Sequence, residues 1–122
     1  MRRIFMLIAA SLMDSKNIYI SSERMKSLMV WPLLGDTEWE YFGAEQETDK
    51  EKVKIIINSY FEENDFYVVR DRRNSIECNK ENIDEVIDPL LGSQDFIIWN
   101  KSFTRAIEFN TIGVLRRGKA NR

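Results

Sequence analysis

Val53, Ile56, Ile57, Tyr60 and Phe61 fall at i, i+3, i+4, i+7 and i+8, so a helix over this stretch carries one apolar stripe and a polar back. Thr48-Asp49-Lys50-Glu51 just ahead fits a capping box, with Thr48 at the N-cap and Glu51 reaching back. A striped helix must bury its apolar side against another layer. The β-rich segments that follow can supply that layer. Phe66 to Arg70 reads as a strand, Asp71 to Ser75 as a polar turn, and Ile76-Glu77-Cys78 as the start of a returning strand. A second stripe, Ile83, Val86, Ile87, Leu90 and Leu91, predicts another helix, with Asn79 as its cap, an end near Asp88 before Pro89, and Gly92 closing the turn.

Phe96 to Trp99 and Phe103 to Phe109 then read as a hairpin around Asn100-Lys101-Ser102, with Phe103, Arg105, Ile107 and Phe109 on one face. Ile112 to Leu115 adds a further strand after a turn near Asn110. The first third is harder to parse. Residues 2–13 favour a helix, Ile18-Tyr19-Ile20 a short strand, and Glu23 to Trp31 a helix stopped by Pro32. Glu38-Trp39-Glu40-Tyr41-Phe42 alternates acid and aromatic and reads as a half-buried strand, with Trp39 and Tyr41 facing the core. The expected fold is a single α+β domain over residues 1–122: a mostly antiparallel sheet with two or more helices packed on one face.

Chemistry is constrained by what is missing. The 122 residues include no histidine and one cysteine, Cys78. A Ser-His-Asp or Cys-His site is therefore excluded, and one Cys cannot build a zinc knuckle. No intramolecular disulfide can form, which fits a reducing compartment. The five glycines, at 35, 43, 92, 113 and 118, make no phosphate-binding loop. We expect no catalytic residues, cofactor or metal, and read the chain as a binding protein rather than an enzyme. Cys78, beside Ile76 in a strand pattern, reads as a buried inert thiol. The alternative is a thiol activated by the nearby Arg70, Arg72 and Arg73.

Charge is unevenly spread. Between Asp36 and Glu51 there are seven acids and one base, Lys50, in a chain of formal charge −2. Glu38 and Glu40, two apart on a strand, share one face on this reading. They are a solvated edge, a surface for a basic partner, or a carboxylate pair for acid/base work or a divalent ion. Asp84, Glu85 and Asp88 lie on the outer side of the second helix, with Asp84 and Asp88 repelling at i, i+4. The expected partner-binding residues are Asp36, Glu38, Glu40, Glu45 and Glu47, then Asp84, Glu85 and Asp88, with Trp31 as an aromatic anchor if it is not core. The bases Arg116, Arg117, Lys119 and Arg122 form a basic tail over 116–122, read as a loose, solvated terminus. With Arg2, Arg3, Arg70, Arg72 and Arg73 they leave open a nucleic-acid-associated regulator, provided they converge. A small carboxylate- or tyrosine-dependent enzyme is the other alternative. The overall acidity argues against a generic nucleic-acid binder.

The run from Asp95 to Asn110, with Trp99-Asn100-Lys101-Ser102-Phe103 at its turn and Glu108-Phe109-Asn110 in its second strand, followed by Ile112-Gly113-Val114-Leu115, resembles the terminal hairpin of contact-dependent growth inhibition immunity proteins (the CdiI type). The resemblance covers the last quarter to third of the chain. It implies a cytoplasmic antidote that binds the C-terminal toxin domain of a neighbouring cell one-to-one, often a basic nuclease, covering its active site or substrate groove. It brings no catalytic residues. Acidic side chains suit such a task because they steer a basic partner into encounter. Neither a membrane nor direct nucleic acid is an expected partner.

Arg2 and Arg3 followed by the apolar run Ile4 to Met13, broken by Ser11, form an N-terminal element of a different character. It is too short to span a bilayer as a helix. The favoured reading is a buried or docking element. The alternatives are an export signal, whose best cleavage candidate, Ala9-Ala10-Ser11, lies inside the apolar run, and a chain that begins at Met13.

Overall fold

In a computed structural model of the chain, residues 14–32, 38–43 and 48–120 are described. The readings made for 2–13, Asp36, Glu45 and Glu47 lie outside them. Among the described residues three helices and seven strands follow in the order α1 (Ser15–Lys26), β1 (Met29–Val30), β2 (Glu40–Tyr41), α2 (Lys50–Tyr60), β3 (Asp65–Val69), β4 (Ile76–Asn79), α3 (Ile83–Ile87), β5 (Phe96–Asn100), β6 (Arg105–Asn110) and β7 (Val114–Ala120). The strands form one antiparallel sheet in the order β1-β7-β6-β5-β3-β4, and β2 pairs with β7 beside β1. The fold is α+β.

Helices cover both sides of this sheet. On one face Phe66, Val68, Phe96, Ile98, Ile107, Phe109 and Leu115 pack with Val53, Ile56, Ile57 and Phe61 around α2 and with Ile83, Ile87, Leu90 and Leu91 around α3. The cross-strand partners Phe96 and Phe109 stack there, ring centroids 4.5 Å apart. Such a pair contributes about 0.5–1.5 kcal/mol beyond its buried area. On the opposite face Tyr67, Val69, Ile97, Trp99 and Ala106 lie beneath α1, which contributes Ile18, Tyr19 and Met25. Because both faces are covered, Phe96 to Asn100 is buried at every position and shows no alternation.

Helix α1 replaces the strand expected at Ile18-Tyr19-Ile20. Asp14 caps it by accepting from the Asn17 N–H at 2.8 Å. Its inward face is Ile18, Ser22 and Met25, and the serine at its centre hides the stripe from a hydrophobicity reading. Ser22 is fully buried, and its Oγ accepts from the Trp99 indole N–H at 2.7 Å, which satisfies the one polar group on that buried ring. The helix expected over Glu23 to Trp31 stops at Lys26 instead, and Met29 pairs with Ala120 in β1. Helix α2 is where the stripe places it, but its cap is one residue later than read. Asp49, not Thr48, accepts the Lys52 N–H, at 3.0 Å.

The hairpin turn after β5 is built on a buried polar residue. Asn100, 1% exposed, accepts from the Thr104 and Arg105 N–H groups at 2.9 and 3.0 Å. Its amide donates to Glu63 Oε2 at 2.7 Å and Thr104 Oγ1 at 2.8 Å. Phe103 sits in this turn at φ 56°, outside β6. It therefore leaves the Arg105, Ile107, Phe109 face assigned to it and packs on Tyr67 and Trp99 beneath α1.

At the β4 edge, Ser75 and Asn79 donate their backbone N–H groups to side chains, Ser15 Oγ at 2.9 Å and Asn82 Oδ1 at 2.9 Å. By strand alternation only the Glu77 N–H between them is left outward. An edge this short and capped is a poor template for a further strand.

Candidate functional site

Glu38 and Glu40, the described members of the first acidic surface expected from sequence, are compensated inside the fold. Strand β2 is only Glu40–Tyr41, and the two glutamates do not share a face. Glu38 binds the Arg116 guanidinium, whereas Glu40 accepts from Arg117 Nη2 at 2.8 Å and lies 3.5 Å from Lys52 Nζ. Arg116 and Arg117 are neighbours on β7 and project to opposite sides of the sheet. Tyr41, expected in the core, is 59% exposed.

These arginines belong to the segment read as a loose basic tail, which is a strand as far as Ala120. Val114–Ala120 is an interior strand between β6 and the β1/β2 edge, paired with β6 at six consecutive positions from Arg105↔Lys119 to Asn110↔Val114. Lys and Arg made it look like a solvated terminus, but Arg116 and Arg117 each have a carboxylate waiting for them.

Arg116 is the centre of that arrangement. Its guanidinium carbon lies 4.1 Å from the Trp31 ring centroid and 4.7 Å from that of Trp39, so it is held between two indoles. Its Nε donates to Glu108 Oε1 at 2.6 Å, and Lys26 Nζ approaches the other Glu108 oxygen at 3.3 Å. Gly118 makes room for this. A Cβ there would stand 2.7 Å from two carbons of the Trp31 ring, closer than such atoms approach. Trp31 is thus a half-buried stacking partner over β7.

The second acidic surface stays open. From Glu81 to Asn100 there are five acids and no base. Glu81 and Glu85 are exposed and Asp84 and Asp88 half-buried around the short α3. Among the described residues, one cation meets this group, Lys54 Nζ at 3.8 Å from Asp84. Asp84 and Glu85 lie in the first turn of α3, where the helix dipole favours negative charge. Glu81 was missed in sequence because it precedes the helix. Asn79 brings it in by accepting the Glu81 and Asn82 N–H groups at 2.9 and 3.1 Å.

Arg72 and Arg73 are exposed in the β3–β4 turn, where the Asp71 carboxylate accepts from the Arg73 and Asn74 N–H groups, both at 2.9 Å, and from the Asn74 amide. Those bonds, the Asn74 side chain's first, hold Asp71 below the usual carboxylate range. This turn joins β3 and β4, and two strands, β5 and β6, separate it from the bases of β7. The convergence that a nucleic-acid reading needs is absent among the described residues.

Cys78 is buried between the sheet and α3, and its thiol is pushed up to about 11 by desolvation first, with Glu77 and Asp65 adding to it. Nucleophilicity requires thiolate, so native labelling is expected to be slow. With a thiol-specific chromogenic disulfide near pH 8, we expect reaction at least about 100-fold slower than in denaturant. Equal rates would mean that the site is open.

Among the described residues, no group of three metal-ligating side chains converges, and no helix is long and apolar enough to cross a membrane. The chain was compared with protein-family models, with curated proteins and with solved structures. None matches.

Proposed function

We propose that this chain is an immunity protein that binds a basic toxin domain, of nuclease type, and neutralises it by covering its active site or substrate groove. The observation that carries this reading is the acidic corner of Glu81, Asp84, Glu85 and Asp88, which meets one cation among the described residues, while Glu38 and Glu40 of the other acidic segment are paired within the fold. Uncompensated surface charge of one sign raises encounter rates with a partner of the opposite sign and weakens as salt screens it. The resemblance of the Asp95 to Leu115 hairpin to contact-dependent growth inhibition immunity proteins points the same way and implies action in the cytoplasm. The interface expected from sequence shifts accordingly. Asp84, Glu85 and Asp88 are kept, Glu81 joins them, and Glu38 and Glu40 are assigned to holding β2 on β7.

The test is capture of partners by the tagged chain from its native host at low and high salt, alongside a Glu81→Lys/Glu85→Lys/Asp88→Lys variant. One stoichiometric basic partner is expected, with association at least about tenfold slower for the variant at low salt. An acidic partner, or a basic one that the variant captures equally fast, sinks the reading.

A further inference from the structure

The end of β7 forms a second charged feature, of opposite sign. Arg105 and Lys119 are direct partners across the antiparallel β6–β7 pair, and Arg117 is two residues along on the same face. Like charges placed opposite each other on a sheet destabilise it unless something offsets them. Two of the three are offset. Arg105 Nη1 donates to the Tyr60 carbonyl at 2.8 Å, closing the end of α2, and Arg117 holds Glu40. Lys119 is exposed and has no acid or carbonyl partner among the described residues.

A cleft of about 300 Å³ opens at this point, lined by Pro32, Tyr60, Arg117 and Lys119. That volume is at the small end of the range of about 300–1,000 Å³ typical of ligand sites. Its walls are of two kinds. The Pro32 and Tyr60 rings are apolar, and the Tyr60 hydroxyl is already spent, donating to the Gly118 carbonyl at 2.6 Å. The remaining wall is cationic. Burial raises the Tyr60 hydroxyl pKa, while Arg105 and Arg117 pull it back.

We propose that this cleft binds a small organic anion, its carboxylate or phosphate on Lys119 and its apolar body between Pro32 and Tyr60. The site is independent of the toxin reading, because a basic partner would be repelled here.

The test is an amide chemical-shift titration of the full chain with benzoate, phenyl phosphate, inorganic phosphate and benzyl alcohol. Saturable shifts at Tyr60, Gly118 and Lys119 are expected with benzoate or phenyl phosphate, and the tighter of the two identifies the anionic group. Benzyl alcohol, without charge, and inorganic phosphate, without an apolar body, should each bind at least about fivefold more weakly. Lys119→Ala should weaken benzoate or phenyl phosphate by about fivefold or more, and Lys80→Ala should leave both unchanged. The proposal fails if neither aromatic anion shifts these residues, if inorganic phosphate binds equally well, or if Lys119→Ala binds like the wild type.

Discussion

Asn100→Ala is expected to lower the unfolding free energy by about 2–4 kcal/mol, read from urea denaturation. The side chain uses all four of its hydrogen-bonding positions, two to backbone N–H groups and two to Glu63 and Thr104. Removing it strands the Thr104 and Arg105 donors at a turn that cannot relax, because Phe103 is pinned between Tyr67 and Trp99. Each stranded buried donor costs about 1–3 kcal/mol, and partial water access at Thr104 and Arg105 keeps the total below the sum of the full penalties. Asn100→Asp is the sharper control. It keeps both acceptor bonds but sets a carboxylate against Glu63 Oε2, which now receives the amide at 2.7 Å. Two carboxylates that close cannot both ionise cheaply, so one is held protonated above its unfolded pKa. The native state then binds more protons than the unfolded chain, so this variant loses stability as pH rises through the carboxylate range. Its deficit against the wild type should narrow on acidification. A variant as stable as the wild type at neutral pH would show that the Asn100 network contributes little.

Arg116→Ala is expected to cost about 2–3 kcal/mol, and Arg116→Lys more than half of that. A lysine keeps the charge but cannot lie flat between Trp31 and Trp39 while reaching Glu108 and Glu38 together. The arginine side chain is 17% exposed and its Glu108 partner 19%, so the pairing is screened less than a surface ion pair would be. Far-UV circular dichroism during urea unfolding is the appropriate readout, because the substitution alters tryptophan emission directly. If Arg116→Lys unfolds at the wild-type midpoint, the stacking is ornamental and charge alone suffices. The same clamp gives β7 its role. It ties β6 to the residues flanking β1 and β2 through one side chain, which a solvated tail would not do.

Elements whose burial is one-sided were legible in the sequence. The stripe from Val53 to Phe61 and the one from Ile83 to Leu91 each place a helix, because an element that packs on a single layer shows its period in hydrophobicity. The β3–β4 and β5–β6 hairpins were legible for a related reason, since turn residues punctuate β-rich runs. Helix α1 was not, because its inward face holds Ser22, whose fitness depends on an indole 77 residues away. Nor was β7, where Arg116 and Arg117 look solvated until Glu38, Glu40, Glu108 and two tryptophans are brought to them. The acidic segment misled for the mirror-image reason: Glu38 and Glu40 are the other halves of those pairs.

What the sequence determined by itself is the class of molecule: an α+β domain with no histidine, hence no imidazole chemistry, and charge held in blocks. Those properties follow from composition and local periodicity, which need no knowledge of distant neighbours. Tertiary structure alone decided which charges are spent and which are free. A charge's availability depends on the residues that folding places within a few ångströms of it. Glu40 is neutralised by partners 12 and 77 positions away, while the acids around α3 meet one lysine among the described residues. Pairing of that kind is a property of the contacts, and no pattern along the chain records it.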